Sequence, residues 1–400
     1  MFCYLFYYTG RQTFGFAIPG IQAELGLNKQ SLGWISAGML WAYALGQMIN
    51  GNLGDRLGGR RMMTAGAGAS FLLNWAMSLS VGFGSLLTCW SANGFAQSMG
   101  WAPGSRLVAN WWGAHERGRA FGLFVLSAGL SSVLSYITSL VILDVLHLEW
   151  RWIFRLPVAL MLLGGIVVWL VARDRPSQLG FPDLSDEKAD VAINADGATE
   201  TMRSRYGAAL RNPRLLLAGF AIGFQNAARY GLLIWVPVHF LGGHGDHAAA
   251  KWVSVGLPVG MAIGAFANGW FSDRFCGSRR SGVIVTFMAL AAVSSVAMFM
   301  LPRGHWLGLP MLFLTGFFAY GPQSAFWALA PDLLGRARTG TAVGVMNCFA
   351  YLMAGLCEPL IGWTIQNAPL LDGVENTALI FPLVALFATL SAIIARFIRQ

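Results

Sequence analysis

Charge is what this 400-residue chain has least of. Asp, Glu, Lys and Arg supply 11% of its residues, against about 25% in soluble domains. So few charges cannot cover a soluble surface, so the composition excludes a string of soluble domains and leaves an integral membrane protein. Cysteine is scarce as well. Cys3, Cys89, Cys276, Cys348 and Cys357 show no metal-ligand spacing and no disulfide framework, and read as reduced packing residues. No basic segment precedes the first apolar run, which carries Arg11 inside it, so no cleavable signal peptide is visible. That abrupt start predicts a short N-terminal tail ahead of Met1. No nucleophile–base constellation, phosphate-cradling loop or metal-ligand cluster stands out, which argues against an enzyme, a metal site or any other cofactor.

What the chain has instead is apolar length. Hydrophobic residues make up 56%, with Gly 49, Phe 27 and Trp 16, a composition suited to helices packing in lipid. Runs of about 20 apolar residues count as membrane helices. Twelve are expected, at 2–21, 32–53, 61–82, 86–112, 117–143, 152–172, 213–240, 251–271, 281–301, 306–330, 339–365 and 376–398. A polar stretch at 173–212 reads as a linker, with a short amphipathic helix near Tyr206–Leu210. The expected organisation is therefore an amino-terminal six-helix half (1–172), a cytoplasmic linker (173–212) and a carboxy-terminal half (213–400).

The net charge of +9 could suggest nucleic acid, but its distribution points elsewhere. Of the 27 Lys and Arg residues, 19 fall in the even-numbered connections and the C-terminus. The positive-inside rule then puts both termini in the cytoplasm.

The halves also repeat. Gly51-Asn-Leu-Gly-Asp55-Arg56 with Arg60-Arg61 is echoed by Gly269-Trp-Phe-Ser-Asp273-Arg274 with Arg279-Arg280. Arg11 precedes Asp55 by 44 residues, and Arg229 precedes Asp273 by 44. Duplicated halves with a site at their interface describe a secondary transporter. The G-x-x-x-D-R-x-G-x-R-R loop resembles the signature loop of the major facilitator superfamily. That resemblance implies an all-α membrane fold of twelve helices in two six-helix halves.

Charges inside the predicted spans are few: Arg11, Arg106 and Arg229 against one clear acid, Glu358. Each buried Arg costs about 2.5–3.5 kcal/mol on insertion scales, and a net positive interior favours an anion. Arg11 and Arg229 hold equivalent positions in the repeat. A pseudo-two-fold axis would face them across one cavity, where two guanidinium forks could grip a phosphate, phosphonate or carboxylate. The competing reading ties each Arg to helix-end carbonyls or the interface. Arg106, beside Trp111-Trp112, is expected to pack against neighbouring helices. Tyr4, Tyr8 and Arg11, spaced i, i+4, i+7, are expected on one helix face, as are Asn347, Tyr351 and Glu358. Glu358 has three readings: partner of a cavity Arg, protonatable coupling site, or hydrated residue near the periplasmic end. Asp55, Arg56, Arg117, Asp273 and Arg274 are expected to tie the halves together at a cytoplasmic gate.

Four further blocks resemble the organophosphate:phosphate antiporters: Tyr7-Tyr8-Thr-Gly-Arg11, Gln97-Ser-Met-Gly-Trp101-Ala-Pro103-Gly-Ser-Arg106, Arg229-Tyr-Gly-Leu-Leu-Ile-Trp235-Val-Pro237 and Tyr320-Gly-Pro322. The resemblance implies that Arg11 and Arg229 hold phosphate, with Tyr4, Tyr8, Tyr320 and Tyr351 lining the cavity. A family histidine falls near Ala128, a lysine on Gln47 and a tyrosine on Asn226, so the clamp is kept while the surrounding shell differs. Trp41-Ala-Tyr43-Ala-Leu-Gly-Gln47 is also similar to the anion:cation symporters, but Gly10 and Gln97 stand where that family carries acids. The expectation is a monomeric carrier of a bacterial inner membrane exchanging a small organic anion, foremost a phosphate ester or phosphonate, for inorganic phosphate, with a proton-coupled importer of a sugar acid or other carboxylate or a sugar-phosphate sensor as alternatives.

Overall fold

A computed structural model describes the backbone of residues 1–112, 114–182, 202–241, 248–275, 280–334, 339–369 and 376–398. Within its helices the side chains of 51, 52, 55, 56, 109, 114–119, 121, 122, 125, 202–205, 248–250, 269–275, 328, 331, 339 and 340 also lie outside the description. The expected gate residues Asp55, Arg56, Arg117, Asp273 and Arg274 fall in that set. Cys276 lies outside the described residues altogether.

The described chain is helical. The first expected span is split into α1 (Phe2–Tyr7) and α2 (Phe14–Leu25). The second and third are α3 (Lys29–Leu57) and α4 (Gly59–Ser78). The fourth is split into α5 (Phe83–Gln97) and α6 (Trp101–Trp111). The fifth is α7 (Ala114–Leu140), extended by a π-helical turn at Val141–Val145, and the sixth ends in α8 (Leu156–Val171). A short helix, α9 (Met202–Arg211), precedes the second set. That set comprises α10 (Pro213–Leu241), the pair α11 (Ala248–Val253) and α12 (Gly256–Phe275), α13 (Arg280–Met300), the pair α14 (Gly308–Tyr320) and α15 (Gln323–Leu334), α16 (Thr339–Asn367) and α17 (Ile380–Arg396).

Local chemistry sets several of these boundaries. Asn28 caps α3, its side-chain oxygen accepting the Ser31 N–H at 2.7 Å. Gly58, at φ +86°, turns the chain from α3 into α4, a conformation that L side chains resist. Asp174 then accepts the Arg60 N–H at 2.9 Å, placing a carboxylate at the positive end of α4.

Among the described residues, five stretches are each long and apolar enough to cross a bilayer unaided: Leu126–Val145, Trp150–Val171, Arg280–Met300, Thr341–Asn367 and Thr377–Arg396. The other expected spans are broken in two or carry polar residues. Such interruptions are tolerated where neighbouring helices satisfy the freed backbone. The outside of the bundle is lined by exposed Leu170, Phe266, Val293, Met300, Leu386 and Ile393. A soluble monomer would not carry such a belt; a lipid-facing one does. The described cysteines, Cys3, Cys89, Cys348 and Cys357, are free.

The two sets of helices meet along α3–α16, α2–α10 and α7–α12. Close approach depends on missing side chains: a Cβ at Gly15 would run into the Ile234 carbonyl of α10. Tyr136 donates to the Leu233 carbonyl at 2.7 Å, and Trp41 Nε1 to the Leu352 carbonyl at 3.3 Å. Lys251 Nζ donates to Asp144 at 2.7 Å, and Trp252 Nε1 to its other oxygen at 3.2 Å. These bonds tie the two sets of helices together. Glu24, at the end of α2, accepts from Arg151 at 2.6 Å and from Trp150 at 2.8 Å. These two donors, Arg151 foremost, hold its carboxyl below the usual carboxylate range.

A matched pair of substitutions tests the α2–α10 contact. Gly15→Ala should destabilise the protein by about 1–3 kcal/mol through overpacking and lower its melting temperature in detergent. Gly68→Ala, where a Cβ meets nothing within 4 Å, should leave that temperature unchanged or raise it.

Candidate functional site

The site is organised by the break between α1 and α2. After Tyr7 the chain tightens into a 3-10 turn, Tyr8–Gly10, and Arg11 leaves helical geometry at φ −143°, ψ −22°. The Arg11 and Gln12 N–H groups both bond to the Tyr8 carbonyl, at 3.0 and 2.9 Å. The interruption frees the Gly10 carbonyl, which would be costly if left unpaired in an apolar interior. Asn93 and Asn74 supply the missing donors, at 2.7 and 3.2 Å. Ser70 donates to Asn93, and Gln97 donates to Ser70 at 2.8 Å. The group is uncharged throughout. A Cβ at Gly10 would lie 2.6 Å from the Gln97 amide nitrogen, so a larger residue there would have to displace that side chain.

The expected helix face running Tyr4, Tyr8, Arg11 is therefore corrected in part. Helical spacing ends at Tyr8, and the break, not the i+7 register, aims the guanidinium. Arg11 is 8% exposed. Its Cζ stands 3.9 Å from the Tyr8 ring centroid and 4.7 Å from that of Tyr43. Arg229 is presented differently, from the continuous helix α10. It is 5% exposed, with its Cζ 4.1 Å from the Tyr320 ring and 4.9 Å from Tyr230. Each positive group thus faces the electron-rich side of two phenol rings. The Nε of each is buried without a partner. Among the described residues, neither guanidinium pairs with a carboxylate.

Aromatic contacts join the two arginines. The Tyr43 and Tyr351 ring centroids are 4.8 Å apart, and those of Tyr351 and Tyr230 5.8 Å. The Tyr230 hydroxyl donates to Tyr351 at 3.5 Å. Tyr8 lies within electrostatic reach of both Arg11 and Arg229. The chain Arg11–Tyr43–Tyr351–Tyr230–Arg229 therefore crosses from one half to the other.

The remaining expected residues divide. Gln47 is half-buried one turn beyond Tyr43, with its amide nitrogen unpartnered. Tyr4 packs among Tyr7, Trp101 and Phe124, with the Tyr8 ring 5.8 Å away. Asn226 donates to the Ile222 carbonyl and to Gln225, which bonds the Ala319 carbonyl in α14. Its amide nitrogen thus serves helix packing. Glu358 is fully buried and accepts from Trp235 Nε1 at 2.8 Å. That burial does not match the hydrated reading, and no described Arg pairs with it.

Sequence reasoning missed four contributors. Tyr43 precedes Gln47 by one helical turn, and Tyr230 follows Arg229 directly, so both lay within quoted motifs. Asn74 and Asn93 were marked only by being amides inside apolar spans, a signal that intramembrane polar residues carry a purpose.

Comparison with known proteins follows this geometry. The chain is 29% identical over 370 residues to a probable hexose phosphate transport protein of Chlamydia pneumoniae, covering 88% of this chain and 80% of the relative. It is 28% identical to the glycerol-3-phosphate transporter of Bacillus subtilis (strain 168), covering 91% and 84%. It is also 26% identical to the membrane sensor protein UhpC of Escherichia coli (strain K12), covering 91% and 82%. In fold it is similar to a D-xylose-proton symporter, with TM-score 0.77 at 14% identity over 100% of this chain and 96% of the other. An inward-facing, unoccupied bacterial homolog of the human lysosomal transporter Spinster gives TM-score 0.74 at 15% identity, covering 99% and 92%. The Major Facilitator Superfamily model matches residues 1–357, a stretch that takes in both arginines and most of both halves, and the chain belongs to that superfamily.

Proposed function

We propose that this protein carries a small phosphate ester or phosphonate across a bacterial inner membrane, exchanging it for inorganic phosphate by alternating access. The observation that carries this reading is the pair of buried guanidinium groups, one from each half, faced by tyrosines and, among the described residues, without a carboxylate. A phosphoryl group offers each arginine two oxygens for parallel hydrogen bonds. Relatives named for hexose phosphate and glycerol-3-phosphate transport favour that anion over a sugar acid. The uncharged cluster around Gly10 and Gln97 adds support, since it offers no acid to carry a coupling proton beside Arg11.

In this mechanism substrate bridges Arg11 and Arg229 and draws the halves together. The empty, doubly positive site resists reorientation, which enforces exchange. Both termini and the segment 173–212 face the cytoplasm. Residues 1–172 and 213–400 act as the two rocking bodies of a monomer, and Asp55, Arg56, Arg117, Asp273 and Arg274 form the cytoplasmic gate. Tyr8, Tyr320 and Tyr351 wall the anion site. Tyr4, Gln47 and Asn226 stand around it, Asn226 by steadying Gln225, whose amide ties α10 to α14.

A second reading, proton-coupled carboxylate import, draws on Glu358, which is buried beside Trp235 without a described cation. A third, binding without flux, draws on the similarity to the sensor UhpC.

Arg11→Lys and Arg229→Lys should each cut uptake into phosphate-loaded proteoliposomes by about 100-fold or more, since ammonium loses the bidentate grip, with the melting temperature kept. Near-normal uptake in either variant would remove the clamp. Asn93→Leu leaves the Gly10 carbonyl short of its better donor, at about 1–3 kcal/mol. It should weaken phosphate-ester binding about tenfold or more in a titration on purified protein. Glu358→Gln keeps an acceptor for Trp235, so phosphate-driven exchange should persist. Its loss, together with uptake driven by a pH gradient alone, would favour the proton-coupled reading.

A further inference from the structure

Gln12 follows Arg11 in the non-helical break and is 6% exposed. Both ends of its amide, Nε2 and Oε1, are buried without a partner. A buried amide with neither end satisfied carries a desolvation cost and calls for an explanation. Its surroundings supply one. Gln12 lines a cavity together with Arg11, Ser36, Phe14, Trp90 and Tyr230. One wall is polar and positive, and the others are aromatic or apolar. The space amounts to about 20 Å³, enough for one water-sized group and too small for a sugar ring.

We propose that Gln12 reads the alcohol part of the substrate. With the phosphoryl group on Arg11, a single hydroxyl of the esterified carbon chain enters the cavity and meets the amide, beside Phe14 and Trp90. The chemistry selects a hydroxyl. An amide with a free donor and a free acceptor matches a group that both accepts and donates. A second anionic group would be repelled by Oε1. The inference rests on the organophosphate reading above and sharpens it. The preferred substrate is a short hydroxyalkyl phosphate, favoured over an alkyl phosphate of equal length because the latter leaves the amide unpaired.

The test compares 2-hydroxyethyl phosphate with ethyl phosphate as competitors of labelled inorganic phosphate exchange in proteoliposomes. It uses the full-length protein and Gln12→Met, which keeps the side chain's length and removes the amide. The unsubstituted protein should prefer the hydroxylated ester by about tenfold, the scale of one or two hydrogen bonds. In Gln12→Met that ratio should fall to about one. The melting temperature of the unliganded variant should hold or rise, because an unsatisfied group has been replaced by an apolar one. Equal competition by the two esters in the unsubstituted protein would overturn the inference. So would a preference that survives in Gln12→Met. A melting temperature lowered by several degrees in Gln12→Met would do so too, by making the amide a structural partner. If both esters bind as well as phosphate but without distinction, only the role of Gln12 is lost. If neither ester nor phosphate binds, the organophosphate reading falls with it.

Discussion

Two guanidinium groups held in an apolar interior, with no described carboxylate beside them, are the constraint on which the rest of the molecule depends. Each is costly to bury. What offsets that cost in the empty protein is the tyrosine set: Tyr8 and Tyr43 beneath Arg11, Tyr230 and Tyr320 beneath Arg229. Cation–π contacts are worth roughly 0.5–2 kcal/mol each, less than an ion pair. The compensation is therefore partial, and the unpartnered Nε of each arginine marks what remains. An anion completes it, and an anion shared between halves also couples binding to their movement.

The two arginines reach this arrangement by different routes. Arg229 stands on an unbroken helix, whereas Arg11 stands in a break held open by the Asn74 and Asn93 amides. The duplicated sequence has thus diverged in local structure while keeping the position of the charge. The break has a further consequence, because it displays the neighbouring residue, Gln12, to the same cavity. A continuous helix would have turned consecutive side chains about 100° apart.

Much of this was legible before any coordinates. Apolar run length, the paired Gly51–Arg56 and Gly269–Arg274 loops and the equal 44-residue intervals from Arg11 and Arg229 specify a duplicated membrane bundle. They also single out the two arginines, because intramembrane charge is rare. The amphipathic stretch around Tyr206–Leu210 corresponds to the helix Met202–Arg211. What was not legible follows from one cause. Hydropathy treats a span as one helix, so it could not reveal where α1 ends, nor that Gly10 would need amide donors from α4 and α5. The i+4 and i+7 spacing argument consequently extended a helical face through residues that are not helical. The hydrogen bonding of Asn226 was not legible for a related reason. Its partners, Ile222 and Gln225, are local, and no pattern in the sequence separates an amide that packs helices from one that lines a cavity.

The central claim is that one anion bridges both halves, and a distance measurement addresses it without relying on transport. Protein labelled with ¹⁵N at arginine, saturated with inorganic phosphate in lipid, can be examined by ³¹P–¹⁵N dipolar recoupling, with the Arg11→Lys and Arg229→Lys variants used to assign the signals. The account predicts that a single bound phosphorus couples to guanidinium nitrogens of both residues, at the separation of about 4 Å set by a direct hydrogen bond. Coupling to only one of the two arginines, or to neither, would contradict it.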